Sequence, residues 1–453
     1  VTAHSHGHGP ATDGELPPPD PAAVARRRWA VRLMLYLLVP VGLATVAGLV
    51  VFWPSSEPTA AEQAADDFFP PGQTYPVATV SSLQPYDCSD PGGEALTCAT
   101  AVMVVGEGES RGDFVQVDLP PEVVSAGVAA GDELVLTRDP VEGGQATYQF
   151  SDFARGTPIV VLALAFALVV GAVARLRGLL SLVGLGFAFV VLLEFMLPAL
   201  LEGGSPLWIS LIGSSAIMFV VLYLAHGFNA RATTALVGTL FGLALSAVLG
   251  TVAVGAARLL GFNNEENLQL LQLDRSLDFS GLVIAATVVA GLGILNDVSI
   301  TQASAVWQLH DVSPEMGWRQ LFARGMAIGR DHIASTVYTI VFAYAGAALP
   351  LLMLFEIYQR PFWTTLTGAE VGEEVIRTLV GGIALVLAVP VTTLVGALVA
   401  TAASSAAPAP GSAAPTPEPT PEEQEAERRR ERLRAMRQAA AEGSDPPRPR
   451  DPR

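Results

Sequence analysis

The residues best placed to do chemistry lie on one helical stripe. Ala286, Ala290, Gly293, Asp297, Thr301, Ser304 and Gln308 recur at offsets of three and four, which stack side chains on one face of an α-helix. The first half of the stripe is small enough for another helix to approach closely. The second half carries a carboxylate and three hydrogen-bonding side chains. An aspartate in hydrocarbon is costly, so it needs a partner, a water-filled cavity or a job. Asp297 lies sixteen residues beyond Gly281, or ~24 Å along a helix, which places it near one edge of a core ~30 Å thick. The next apolar helix starts around Ile333 and runs the other way, so Arg330, Asp331 and His332 reach a similar depth. Two chemistries fit these residues. An ion pair of Asp297 with Arg330 would offset desolvation, and a carboxyl moving between paired and wet surroundings would take up and release a proton. Asn296, Ser299, Thr301, Gln302, Ser304, Thr336, Thr339 and Thr392 complete the expected polar seam.

Apolar runs of transmembrane length supply the elements that must position these groups. They cover residues 33–53, 158–174, 178–201, 207–224, 233–257, 279–309, 333–357 and 378–400, which predicts eight spans. Three helices besides the Asp297 helix carry small or polar stripes. These are His332, Thr336, Thr339, Ala343, Gly346 and Pro350; Thr234, Gly238, Gly242, Ser246 and Gly250; and Gly381, Ala384, Ala388, Thr392 and Gly396. Such stripes let helix backbones touch, and Pro390 is expected to kink its helix and free carbonyls near Thr392 and Thr393. Glu194 and His226 are expected at membrane interfaces.

The chain contains no lysine, so arginine sets the orientation. Arg26, Arg27, Arg28 and Arg32 precede the first span, and eight crossings then put Arg175, Arg177, Arg231, Arg319, Arg324, Arg330 and the tail arginines on the same, cytoplasmic side. The expected organisation is a cytoplasmic disordered N-terminus over 1–32, a first span over 33–53, an extracytoplasmic β-domain over 54–156, a seven-helix membrane domain over 157–402 and a low-complexity cytoplasmic tail over 403–453.

The outer segment has seventeen Asp and Glu against three Arg, so most of the net charge of −17 resides there. Stretches at 75–80, 97–105, 114–119 and 133–137, separated by Gly- and Pro-rich turns, predict a small five- or six-stranded barrel. Cys88 and Cys98 flank the turn Asp90-Pro91-Gly92-Gly93 and are expected to form a disulfide in an oxidising compartment. The acidity disfavours nucleic acid and anionic head groups. His4, His6 and His8 sit in a tail without fixed partner ligands, residues 402–421 read as a linker, and 422–441 as an exposed charged helix.

Several activities find no support in the residues. Without lysine there is no phosphate-binding Gly-rich loop of the usual kind, no His-Glu-x-x-His zinc helix occurs, and no second deep carboxylate faces Asp297 as an intramembrane aspartyl protease requires. The expectation is a protein that is not an enzyme, without cofactor or metal.

Residues 293–309, beginning Gly-Ile-Leu-Asn-Asp, with Gly325-Met326-Ala327-Ile328-Gly329-Arg330-Asp331-His332 and Ala343-Tyr344-Ala345-Gly346, resemble the YibE/F family of multi-pass membrane proteins. Asp152-Phe153-Ala154-Arg155, His226-Gly227-Phe228-Asn229, Ala235-Leu236-Val237-Gly238-Thr239 and Val389-Pro390-Val391-Thr392 add to the likeness, which runs from about Tyr75 to Ala400. Asn296 beside the aspartate and His332 after Arg-Asp depart from the family pattern. The resemblance implies a membrane all-α bundle in a bacterial plasma membrane, and it carries no established activity. Two functions fit: a secondary transporter or permease, moving a small solute or ion, with Asp297 as coupling group; or a non-transporting scaffold or regulator that binds other proteins through its outer domain and tail.

Overall fold

The computed structural model of the chain describes residues 21–68, 72–89, 95–141, 144–262, 265–359, 361–404 and 429. The histidine tail, the Asp90–Gly93 turn, most of the Ala/Pro linker and almost all of the charged helix expected near the C-terminus lie outside them. Arg28–Thr401 forms a compact unit distinct from the terminal stretches Val1–Arg27 and Ala402–Arg453.

Helix α1 (Pro21–Val51) starts earlier than the apolar run alone indicates. It leads through α2 (Ala60–Phe68) into a five-stranded antiparallel sheet of β1 (Val77–Asp87), β2 (Thr97–Val105), β3 (Phe114–Leu119), β4 (Glu133–Asp139) and β5 (Thr147–Phe153). A short helix, α3 (Pro121–Ser125), joins β3 to β4. The strand order is β3-β2-β1-β4-β5, and β3 touches β5, so the sheet nearly closes into a barrel. β1 makes this possible. Ala78–Asp87 pair with β2 across a register shift between Val80 and Ser82, and Val77–Thr79 pair with β4; the shift is a bulge of the kind that bends a strand. Alternate residues Ala78, Val80, Ala101, Met103, Val117, Leu119, Leu134 and Leu136 fill the interior, as a period of two requires. Five strands agree with the expected five or six, and β5 is the one that lies outside the stretches singled out in the sequence.

Among the described residues six helices are long and apolar enough to cross a bilayer, and the count is seven if the pair α10 (Trp318–Ala347) and α11 (Leu349–Ile357), bent by 66°, is taken as one span. The other membrane elements are α4 (Gly156–Val191), a π-helical turn at Leu192–Met196, α5 (Leu197–Leu201), α6 (Pro206–His226), α7 (Ala230–Ala257), α9 (Phe279–Val312) and α13 (Ala369–Ser404). Short helices α8 (Glu265–Leu273) and α12 (Phe362–Leu366) lie in connections. The π-turn has a local cause. Pro198 lacks the N–H that the carbonyl of Glu194 would accept, and Glu194 itself is exposed.

The stretch Gly156–Leu201 is 46 residues long, or ~69 Å if straight, over twice the ~30 Å hydrocarbon thickness. It is not straight. Arg175 has φ 57° and ψ −143°, and the reversal places the Val170 carbonyl oxygen 2.8 Å from where a Gly178 Cβ would be. The two ends of the stretch also lie on one side. The β-domain hangs from the end of α1 that carries Ser55, and Ser55 N and Oγ donate to Glu202 Oε1 at 2.5 and 2.7 Å. The stretch therefore doubles back at Arg175, and its two limbs run in opposite senses. Pro206 against Gly281 and α2 against α8 put further connections on the β-domain side. The Arg175 reversal falls on the opposite side, as do the connections that bear Arg231 and Arg319.

The Cys88–Cys98 disulfide joins the ends of β1 and β2, with Cα atoms 5.7 Å apart. With a sequence separation of 10, its loss is expected to destabilise the β-domain by about 2–3 kcal/mol. Thermal unfolding of Cys88→Ser/Cys98→Ser should show a lowered midpoint for the domain and no change in membrane insertion. An unchanged midpoint would mean the bridge does not constrain the hairpin.

Candidate functional site

The polar centre of the bundle is built where α7, α9, α10 and α13 meet. Gln302 donates through Nε2 to the Gly325 carbonyl at 2.8 Å and to Thr393 Oγ1 at 2.7 Å. Thr392 and Thr393 in turn donate to the carbonyls of Ala388 and Val389 at 2.8 and 2.6 Å. α13 runs through Pro390 unbroken, and the carbonyl that loses its donor to the proline is that of Val386, one turn earlier. Ser299, Gln302, Thr392 and Thr393 are at most 2% exposed.

Glycine lets the helices come this close. A methyl on Gly238 would overlap Thr392 Oγ1 and lie 3.3 Å from Ser299 Oγ. One on Gly325 would meet Thr393 Cγ2 at 2.9 Å, and one on Gly329 would meet Val389 Cγ1 at 2.7 Å and both polar atoms of Gln302 at 3.2 Å. Gly325 and Gly329, one turn apart, thus form the face on which α10 crosses the Gln302 amide. The whole Thr234–Gly238–Gly242–Ser246–Gly250 stripe is buried, and Gly242 packs against Leu295. Among the described residues, Ser214, Ser246 and Ser299 each keep a buried hydroxyl without a partner.

The expected seam divides around α9. Ser299 and Gln302 point into the node with Thr392. Asn296, Ser304, His332 and Thr336 are half-buried, whereas Asp297, Thr301, Arg330, Asp331 and Thr339 are exposed. The stripe containing Asp297 therefore lies on the face of α9 opposite the node. No ion pair joins Asp297 to Arg330; among the described residues the ion pairs are Arg138–Glu109, Arg155–Asp152 and those of Arg377. Thr336 and Thr339 hydroxyls bond back to the carbonyls of His332 and Ser335. Asn296 Oδ1 and His332 Nε2 are buried atoms without a hydrogen-bond partner. Ala343 and Gly346 of the α10 stripe are exposed, the 66° bend puts Pro350 on α11, and α10 instead faces the bundle with Ile333, Ile340 and Tyr344.

A second polar place lies at the β-domain end. Arg377 Nη2 pairs with Glu373 Oε1 at 3.1 Å, and Nη1 with Glu374 Oε2 at 2.6 Å. Glu373 and Arg377 open into a cavity of about 360 Å³ walled by Leu192 and Met196 of the π-turn, Asn267 of α8, and Ala286 and Val289 of α9. Tyr344 of α10 lies within electrostatic range of Glu374 and Arg377. Sequence reading passed over this cluster. Its signal was Glu373-Glu374-Val375-Ile376-Arg377, acids at i and i+1 with a base at i+4, opening an apolar run.

The model of the YibE/F-like proteins matches residues 162–402. This chain belongs to the YibE/F-like family. No curated protein and no solved structure matches it. The YibE/F-like region contains the node, Asp297 and the Arg377 cluster. It begins within the first limb of α4, so α1, the β-domain and Asp152–Arg155 fall outside it, and the resemblance is shorter than the sequence reading that began it at Tyr75.

Packing at the YibE/F-like node yields a specific expectation. Gly238→Ala should destabilise the bundle by about 1–3 kcal/mol, the usual cost of overpacking. Adding Thr392→Ala removes the Oγ1 that the new methyl would strike, so the double variant should recover most of the loss in thermal unfolding in micelles. Absence of recovery would mean that α7 and α13 do not touch there.

Proposed function

We propose that this protein is a secondary transporter or permease in which Asp297 is the coupling group and the uncovered stripe of α9 is the working face. The observation that carries this reading is the setting of Asp297. It is an exposed carboxylate at membrane depth, without an ion-pair or hydrogen-bond partner among the described residues. Other faces of α9 are covered by α6, α7 and α10. The stripe starts at Ala286, in the wall of the cavity holding Glu373 and Arg377, and continues past Gly293, which has open space above its Cα. A carboxyl group carried between hydrocarbon and water takes up or gives up a proton, which is the elementary step of proton coupling. The solute is a small ion or polar molecule able to pass a face of glycine, alanine and hydroxyl side chains.

A non-transporting scaffold, binding proteins through its β-domain and tail, is favoured by one observation. The node is close-packed, so no aqueous path threads the Gln302 contact. The topology that fits both readings has the two termini in the cytoplasm of a bacterial plasma membrane, supported by the arginines gathered on one side. A reporter fused after Arg453 is expected to be active only when it requires the cytoplasm; activity confined to the outside would remove one crossing.

The transporter reading is tested in proteoliposomes containing a pH-reporting dye, under imposed sodium, potassium or magnesium gradients. Wild-type protein is expected to move protons in response to at least one gradient. Asp297→Asn should lower that response tenfold or more while leaving thermal unfolding nearly unchanged. A response unaltered in Asp297→Asn would remove Asp297 as coupling group, and folded wild-type protein inert to all three gradients would favour the scaffold.

A further inference from the structure

Along most of its span, from Met34 to Leu49, α1 leaves a long apolar groove against α6, with Met34 at the end away from the β-domain. Gly48 lies against Ile212 and Gly42 against Phe219, so the two helices run antiparallel and the register puts Arg32 level with Phe228–Arg231. The groove has a volume of about 840 Å³ and is lined by Met34, Leu38, Leu49, Phe219, Tyr223 and Phe228 among others. From Met34 to Leu49 it follows α1 for ~22 Å, longer than half of a ~30 Å core. One acyl chain of a single leaflet fits that length.

The mouth of the groove is cationic, and among the described residues neither Arg177 nor Arg231 has an ion-pair partner. Arg177 and Arg231 both lie within electrostatic range of His226, and all three are exposed. Arg231 follows Ala230, which lines the groove. No aspartate or glutamate occurs in α1, α4, α6 or α7, so none of the four helices supplies a partner. The connection itself is rigid. Gly227 ends α6 with φ 77°, Asn229 caps α7 by accepting from Ala232 N at 2.9 Å, and Phe228 stacks on Tyr223 with centroids 4.5 Å apart. Such aromatic side chains mark head-group depth.

We propose that this groove binds an anionic phospholipid, with an acyl chain between α1 and α6 and the phosphate among Arg177, Arg231 and Arg32. Guanidinium forks match phosphate oxygens two at a time. The apolar groove holds the chain, and the unpaired arginines select a negative head group over a zwitterionic one. Tryptophan at Leu43, an exposed residue that lines the groove, would fill the chain site without touching the charges.

The test is native mass spectrometry of the full chain in detergent with added phosphatidylglycerol or phosphatidylcholine. Wild-type protein is expected to retain phosphatidylglycerol preferentially. Arg177→Gln/Arg231→Gln should weaken that retention by roughly fivefold per arginine, with thermal unfolding in phosphatidylcholine unchanged. Leu43→Trp should lose bound lipid of either kind. Equal retention of the two lipids by wild-type protein, or undiminished phosphatidylglycerol retention in the double arginine variant, would overturn the proposal.

Discussion

A polar side chain buried in a membrane protein must find its partners inside the protein, because lipid offers none. Gln302 meets that requirement with a backbone carbonyl on α10 and a hydroxyl on α13, and the arrangement of the bundle follows from it. The amide reaches those partners only if α10 lies directly on α9, which the absent side chains at Gly325 and Gly329 allow. The same closeness on the α7 side needs Gly238 and Gly242. Packing contacts and one shared amide therefore hold four helices in a single register, without any charge at the centre.

Charge is kept at the periphery of the bundle. The Arg377 cluster sits at the β-domain end, in a cavity where a half-buried arginine is paired with two glutamates. Asp297 lies about midway along α9, on the face turned away from the node. Burying an unpaired carboxylate within the node would be far costlier than leaving it on an open face. The division of α9 into a packed face and an open polar face thus has an energetic basis, and the open face is the one free to change its surroundings without breaking the Gln302 contact.

Much of this was legible in the sequence, for identifiable reasons. Alternating residues marked β2 and β3 to the residue, and the small stripe of α7 is buried along its length, because period and side-chain size fix both. Six to seven apolar spans stand where eight were expected, and the break expected between residues 174 and 178 is the reversal at Arg175. The face of α9 was not legible. Ala286–Asp297–Thr301 and Leu295–Ser299–Gln302–Val306 are both valid helical stripes, and a small polar stripe suits an interface and an open face equally. Partners on α10 and α13, distant in sequence, decided between them. Five or six strands were expected, but β5 was not located because Thr147–Phe153 mixes polar and aromatic residues with little burial. The Arg377 cluster was passed over because it was counted as the edge of a span.

The central claim is that α9 presents two faces, a packed one at Gln302 and an open one at Asp297. It is tested most directly by single cysteines placed along α9 and exposed in native membranes to a small, charged maleimide. Both cysteines of the chain are joined in the Cys88–Cys98 bridge, so an introduced thiol is read without background. Reaction is expected at positions 293, 297 and 301 and not at 295, 299 or 302. Labelling at 299 and 302 with protection at 293 and 297 would contradict the account, because the polar face of α9 would then be the packed one.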